Sequence, residues 1–80
     1  MAFMVKDKER AIVRKVCEEL LAERHRQGIS QQRISEDAGL SRTGVRHIES
    51  LETNPTLYSL LKLSKALGID LSELVKKYES

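Results

Sequence analysis

The side chains best suited to chemistry lie close together in the middle of the chain. A helix over residues 42 to 51, stepped at about 100° per residue with Val45 and Ile48 turned inward, presents Thr43, Arg46, His47 and Ser50 on its opposite face. Arg42 projects from its first turn. These types match the edges of paired bases: a guanidinium can bond O6 and N7 of guanine together, a threonine offers a hydroxyl or a methyl contact to thymine, and a helix fits a major groove about 12 Å wide. By type alone, five polar residues on a helix face are also what ordinary solvated surface looks like.

Other chemistries have little support. Two histidines, His25 and His47, and the single Cys17 form no close set with acids, so neither a metal-ligand spacing nor a nucleophile and base pair emerges. A glycine-rich phosphate loop is lacking too. Glu18-Glu19 and Glu36-Asp37 are most simply exposed helix faces. Neither an enzyme, nor a metal, nor a cofactor is expected.

Placing the polar face requires the stretch from Gln31 to Leu51. Ser30 can cap a first short helix by accepting its orphan N–H bonds, and Gly39 stands where the residue after a helix adopts positive φ. Ser41 offers a second cap. Ile34 and Ala38, four apart, and Val45 and Ile48, three apart, give each helix a narrow apolar face for the other. Two short helices around a tight glycine turn make a helix-turn-helix.

The pattern resembles the phage-repressor class of helix-turn-helix domains, also called the xenobiotic-response-element family. The likeness rests on Ser30-Gln31, Gly39 and the apolar set Ile34, Ala38, Leu40, Val45 and Ile48, with Arg24 and Gly28 upstream and Ile48-Glu49 and Asn54-Pro55-Thr56-Leu57 downstream. It runs from about residue 16 to 76. The resemblance implies an all-α, five-helix domain whose recognition helix enters the major groove of double-stranded DNA. It also implies that Arg24 pairs with Glu49, tying the first helix to the end of the recognition helix. Gln31 and Gln32 open the helix before it, and the resemblance sets Gln31 against DNA backbone and base edge, with Arg33 assisting. Asn54 and Thr56 fall in a loop that commonly touches phosphate in such domains. The expected DNA-binding set is thus Gln31, Gln32, Arg42, Thr43, Arg46, His47, Ser50, Asn54 and Thr56.

Two departures qualify the likeness. Glu23 stands where an apolar residue is frequent, which would shift the inward face of the first helix's last turn. Ser50-Leu51-Glu52-Thr53 replaces a frequent Arg-Gly and basic pair, and a carboxylate at Glu52 near phosphates is unfavourable. Non-specific affinity below the family's norm follows.

Composition is consistent with this. Eighty residues make one small domain with an expected radius of gyration of about 12 Å, and a chain of this size buries only roughly 60% of its unfolded surface. One Phe, two Tyr and no Trp leave the core to Leu, Ile, Val and Ala. A net charge of +2 is weakly basic, so nucleic-acid binding must rest on where the charges sit. One cysteine forms no internal disulfide and fits a reducing compartment. The apolar opening Met1 to Val5 is too short for a signal peptide, and no run approaches the roughly 18 apolar residues of a membrane span. A soluble, cytoplasmic protein is expected.

Residues 7 to 27 carry neither Gly nor Pro and read as a long first helix with the stripe Ile12, Val13, Val16, Cys17, Leu20 and Leu21. Val16, Leu20 and Leu21 should be buried against the helix-turn-helix. Ile12 and Val13 lie beyond it, to pack on the last helix or to meet a partner. Cys17 on this stripe reads as a buried, inert thiol. A helix over 57 to 67 follows, with Leu57, Leu60, Leu61, Ser64 and Leu67 inward and Leu63 at the edge. Asp70 and Glu73 resemble a capping box for a last helix over 71 to 78, whose stripe is Leu71, Leu74, Val75 and Tyr78.

The reading is one domain, 1 to 80, that regulates transcription, as a repressor, by binding a palindromic operator as a homodimer. The alternative is a protein-interaction module, an antitoxin or a coactivator-like bridge, that engages a protein partner through an exposed Ile12-Val13 surface on the first helix.

Overall fold

The computed structural model describes residues 7 to 80, so the apolar opening Met1 to Val5 lies outside the described residues. Among the described residues the chain forms five helices and no strand: α1 (Lys8–Gln27), α2 (Gln31–Ala38), α3 (Arg42–Glu49), α4 (Leu57–Leu67) and α5 (Leu71–Glu79). Each begins at a side chain that accepts an orphan amide. Asp7 takes the Arg10 N–H at 2.9 Å, Ser30 that of Arg33 at 3.0 Å, Ser41 that of Gly44 at 2.9 Å, Thr56 that of Ser59 at 3.0 Å and Asp70 that of Ser72 at 3.0 Å. A cap of this kind is worth about 1 kcal/mol. Asp70 also accepts the Ser72 hydroxyl at 2.7 Å, so Ser72, and not the Glu73 side chain expected from the sequence, completes the cap.

The turn between α2 and α3 closes as the sequence requires. Gly39 sits at φ 71°, its N–H reaches the Glu36 carbonyl at 3.2 Å, and the Leu40 N–H reaches that of Ser35 at 2.9 Å. This pair of bonds is the Schellman arrangement, which satisfies carbonyls that the helix end leaves bare. α2 then packs on α3 and α4, while α1 lies against α3, α4 and α5. Val16, Cys17, Leu20, Ile34, Val45, Ile48, Leu60, Leu63, Leu67, Leu71 and Leu74 fill the single core. The radius of gyration is 12.8 Å.

Several expectations about the core need correcting. Leu63, assigned to the edge of α4, is 1% exposed, whereas Leu57 and Leu61, assigned inward, are 66% and 49% exposed. Leu61 and Leu63 lie about 160° apart around a helix, so one face cannot bury both. Packing against α1 and α2 selects the row of Leu60, Leu63, Ser64 and Leu67. Leu21 is only half-buried, and Cys17 occupies the core beside Val16 and Leu20 instead. Burial raises the Cys17 thiol pKa to about 11, with the Glu18 charge adding to it, which leaves the thiol uncharged near neutrality.

Ile12 and Val13 are half-buried against the same core. Glu19, read from the sequence as free surface, joins α1 to α5: it accepts the Lys77 ammonium at 2.6 Å and the Tyr78 hydroxyl. Those two bonds, the Lys77 one foremost, hold its carboxyl below the usual value. At the departure, Glu23, the carboxylate pairs with Arg26 and accepts the Gln27 amide at 2.7 Å, and the helix continues to Gln27. Gln27 continues to the Leu67 carbonyl at 2.8 Å, fastening α1 to the end of α4.

Candidate nucleic-acid interface

The interface is built outward from a fixed inner face. Val45 and Ile48 are buried completely, so α3 cannot rotate without opening the core. Its other side then carries Arg42, Thr43, Arg46 and His47, all exposed. None of the four takes part in an ion pair among the described residues. Four side chains rich in donors stand on a rigid helix with their bonding capacity open to a ligand.

The end of this helix is held by a buried ionic cluster. Glu49 accepts Arg24 Nε at 2.6 Å and Arg24 Nη2 at 3.0 Å, a bidentate pair whose side chains are 6% and 10% exposed. Arg24 Nη1 also donates to the Ile29 carbonyl at 2.6 Å, which ties in the turn before α2. Gln31 Nε2 donates to the same carboxylate at 2.9 Å. The opening of α2 is thereby fixed beside the last turn of α3, and Gln31, half-buried, spends one amide donor inside the protein.

The remaining expected residues divide by what already occupies them. Gln32 is exposed and lies 3.4 Å from Glu36 through its amide. Arg33 is paired with Asp37 at 3.2 Å. Ser50 donates to the His47 carbonyl at 2.8 Å, so its hydroxyl finishes the helix; Thr53 donates to the same carbonyl at 2.9 Å. Thr56 caps α4 and donates to the Ser59 hydroxyl at 3.0 Å. Asn54 is exposed in the loop between them. α3 ends at Glu49 rather than Leu51, because Ser50 closes it and Leu51 turns to φ 64°.

That left-handed leucine stands where the resembled pattern frequently has glycine. It costs about 1–2 kcal/mol of backbone strain and lets the Leu51 side chain pack half-buried on the core. Gly44, in the first half of α3, has a local explanation. A Cβ there would come within 3.3 Å of the Ser41 hydroxyl oxygen, the atom that caps the helix, so the close neighbour is the cap and not the preceding helix.

Sequence reasoning missed the Gln31 tether and a second contact, from Arg10 Nη2 to the Glu52 carbonyl at 3.3 Å. Both span distant parts of the chain and leave no periodic signal.

Comparison with known proteins agrees with the five-helix fold. The helix-turn-helix family matches residues 20–74. Over 56 residues the chain is 38% identical to the HTH-type transcriptional regulator PuuR of Escherichia coli (strain K12), and to that of Shigella flexneri, a match covering 70% of this chain and 30% of the relative. It is 41% identical over 54 residues to an uncharacterized HTH-type transcriptional regulator of Haemophilus influenzae, covering 68% of this chain and 55% of the relative. The match therefore spans less than two thirds of these relatives' length. Since the family pattern runs from Leu20 in α1 to Leu74 in α5, across the whole of the helix-turn-helix and the core that holds it, the chain belongs to the Cro/C1-type helix-turn-helix family of DNA-binding transcription regulators.

Proposed function

We propose that this chain reads a specific duplex sequence with Arg42, Thr43, Arg46 and His47 in the major groove, and that two copies bind a palindromic operator together. The observation that carries the reading is the unspent polar face of α3, set on a helix locked by Val45, Ile48 and the Glu49 cluster. Gln31, Gln32, Asn54 and Thr56 flank it as neutral donors to phosphate. Ser50 plays a smaller part, its hydroxyl being engaged with His47. Regulation is by repression, since occupancy of an operator is enough to block transcription, and it takes place in the cytoplasm.

Pairing of two copies is supported by an apolar strip that is exposed among the described residues. Leu57, Tyr58 and Leu61 are the large exposed hydrophobics of the described chain, and Leu57 and Leu61 border a shallow groove with Val75, Lys76 and Glu79. The groove carries Lys76 and Glu79 at its rim, opposite charges compatible with a self-complementary patch about a two-fold axis. Leu57, at one end of the strip, directly follows Thr56 in the chain, which puts the pairing face beside the residues assigned to phosphate. Use of α1 to engage a different protein is less well supported, because Ile12 and Val13 are already half-buried.

Selection of bound sequences from a random duplex pool tests the proposal. The expected product is an imperfect palindrome with half-site centres about 34 Å apart. Arg42→Ala and Thr43→Ala should relax preference at particular base pairs, each by about 1–3 kcal/mol, with Arg46→Ala and His47→Ala doing the same where they touch bases. Gln31→Ala should weaken all sites more evenly. Unchanged sequence preference and affinity in both Arg42→Ala and Thr43→Ala would remove α3 as the reading element.

A further inference from the structure

The first half of α1 precedes the segment that the family pattern covers, and it faces the loop after α3 across an open cleft of about 490 Å³. Asp7, Arg10 and Arg14 stand on one wall, the Asp7 carboxylate being engaged as the cap of α1, and Leu51 to Asn54 form the other. The loop contributes an acid, Glu52, and no cation between Ser50 and Thr56. Asn54 and Thr56, its assigned phosphate donors, are neutral. Positive charge reaches this loop from α1.

Arg10 Nη2 donates to the Glu52 carbonyl at 3.3 Å, near the long end of such bonds. A guanidinium carries five N–H donors, so this contact positions the group while leaving its charge and most of its donors open. Arg14 lies one helical turn further on, with its side chain 62% exposed and its guanidinium 3.6 Å from Glu18. Exposed ion pairs of that kind are weak and yield readily to a better anion. The two arginines share one face of α1 by their four-residue spacing.

We infer that Arg10, with Arg14 beside it, supplies the cationic contact to the DNA phosphodiester backbone that the loop itself lacks. The ligand is the strand of phosphates flanking the bases read by α3, held between neutral donors on the loop and charge on α1. The inference rests on the DNA-binding reading above. It moves the electrostatic part of binding to residues outside the helix-turn-helix, and it offsets the unfavourable Glu52.

A rival role for Arg10 is a plain strap from α1 to the loop, and Arg10→Gln separates the two. Glutamine retains an N–H donor for the Glu52 carbonyl but carries no charge. Binding to a selected operator and to a random duplex is measured across salt concentrations, beside a thermal melt. For two protomers, the slope of log affinity against log salt should become shallower by about 1.8, or 0.9 for each phosphate no longer neutralised. Affinity should drop similarly on both duplexes. Arg10→Lys should restore the slope, adding Arg14→Gln should flatten it further, and Lys65→Gln, exposed in the last turn of α4, should leave it unchanged. An Arg10→Gln protein with the parental slope overturns the inference, whether or not its melting temperature falls. If the parent binds no duplex at all, the DNA-binding reading falls and takes this one with it. If the parent binds and only the slope is unmoved, the reading by α3 survives alone.

Discussion

Glu49 does more for the interface than any residue that faces outward. Its carboxylate is nearly closed off from water and receives three N–H donors, two from Arg24 and one from Gln31. A buried pair of this kind adds little net stability over apolar replacements, yet removing one partner leaves an uncompensated charge and costs about 3–5 kcal/mol. Arg24→Met should therefore lower the unfolding free energy by about that amount, read from urea melts. The double variant Arg24→Met with Glu49→Leu should be more stable than the single one. Strict additivity of the two changes would show that the pair is not the buried unit described here. Arg24 with Glu49 was legible from the sequence through the resemblance, and the outward placement of Arg42, Thr43, Arg46 and His47 was legible through the helical period. The link to Gln31 was not, since nothing in the spacing of residues 31 and 49 says which way an amide turns.

Helix ends were the most legible elements, because each is marked by a residue whose side chain does a local job: Ser30, Ser41, Thr56 and Asp70 at starts, Gly28, Gly39 and Gly68 at stops. The end of α3 lacks such a marker, and the helix was read past it to Leu51. The backbone there reverses through a leucine in a region that favours glycine. Local preference and core packing are opposed at this position. Leu51→Ala gives up the packing and keeps the strain, whereas Leu51→Gly gives up the same packing and releases it. The glycine variant should consequently melt above the alanine variant by about 1 kcal/mol in stability, the reverse of their order inside a helix. An alanine variant as stable as the glycine one, compared by denaturant melts, would show that the left-handed turn carries no strain. The face of α4 was illegible for a different reason. Leu57, Leu60, Leu61, Leu63 and Leu67 make a stripe wider than a helix can bury, and only the placement of α1 and α2 decides which edge stays outside.

At the scale of the molecule, the proposed pairing makes that leftover edge the link between one domain and a two-fold operator. Leu57 and Tyr58 are each 66% exposed and Leu61 49%, so their replacement should leave the folded core nearly untouched. Surface changes away from caps and buried networks usually alter stability by less than about 0.5 kcal/mol. A carboxylate at the centre of an apolar contact between copies is another matter, because pairing would bury it beside its symmetry mate. Leu61→Glu should accordingly keep the parental melting temperature and the parental affinity for an isolated half-site. On the full palindrome it should lose the gain that comes from two reading helices acting as one ligand, a factor of roughly 10²–10⁴ when two modules are joined. Sedimentation equilibrium of the free protein should show a monomer at concentrations where the parent associates. The decisive comparison is the ratio of palindrome to half-site affinity in the two proteins. If Leu61→Glu preserves that ratio, the copies meet elsewhere or bind independently, and the exposed row on α4 has some other occupant. If the ratio collapses while half-site binding stands, α4 sets the spacing at which α3 reads, and one helix edge left over from core packing explains the symmetry of the site.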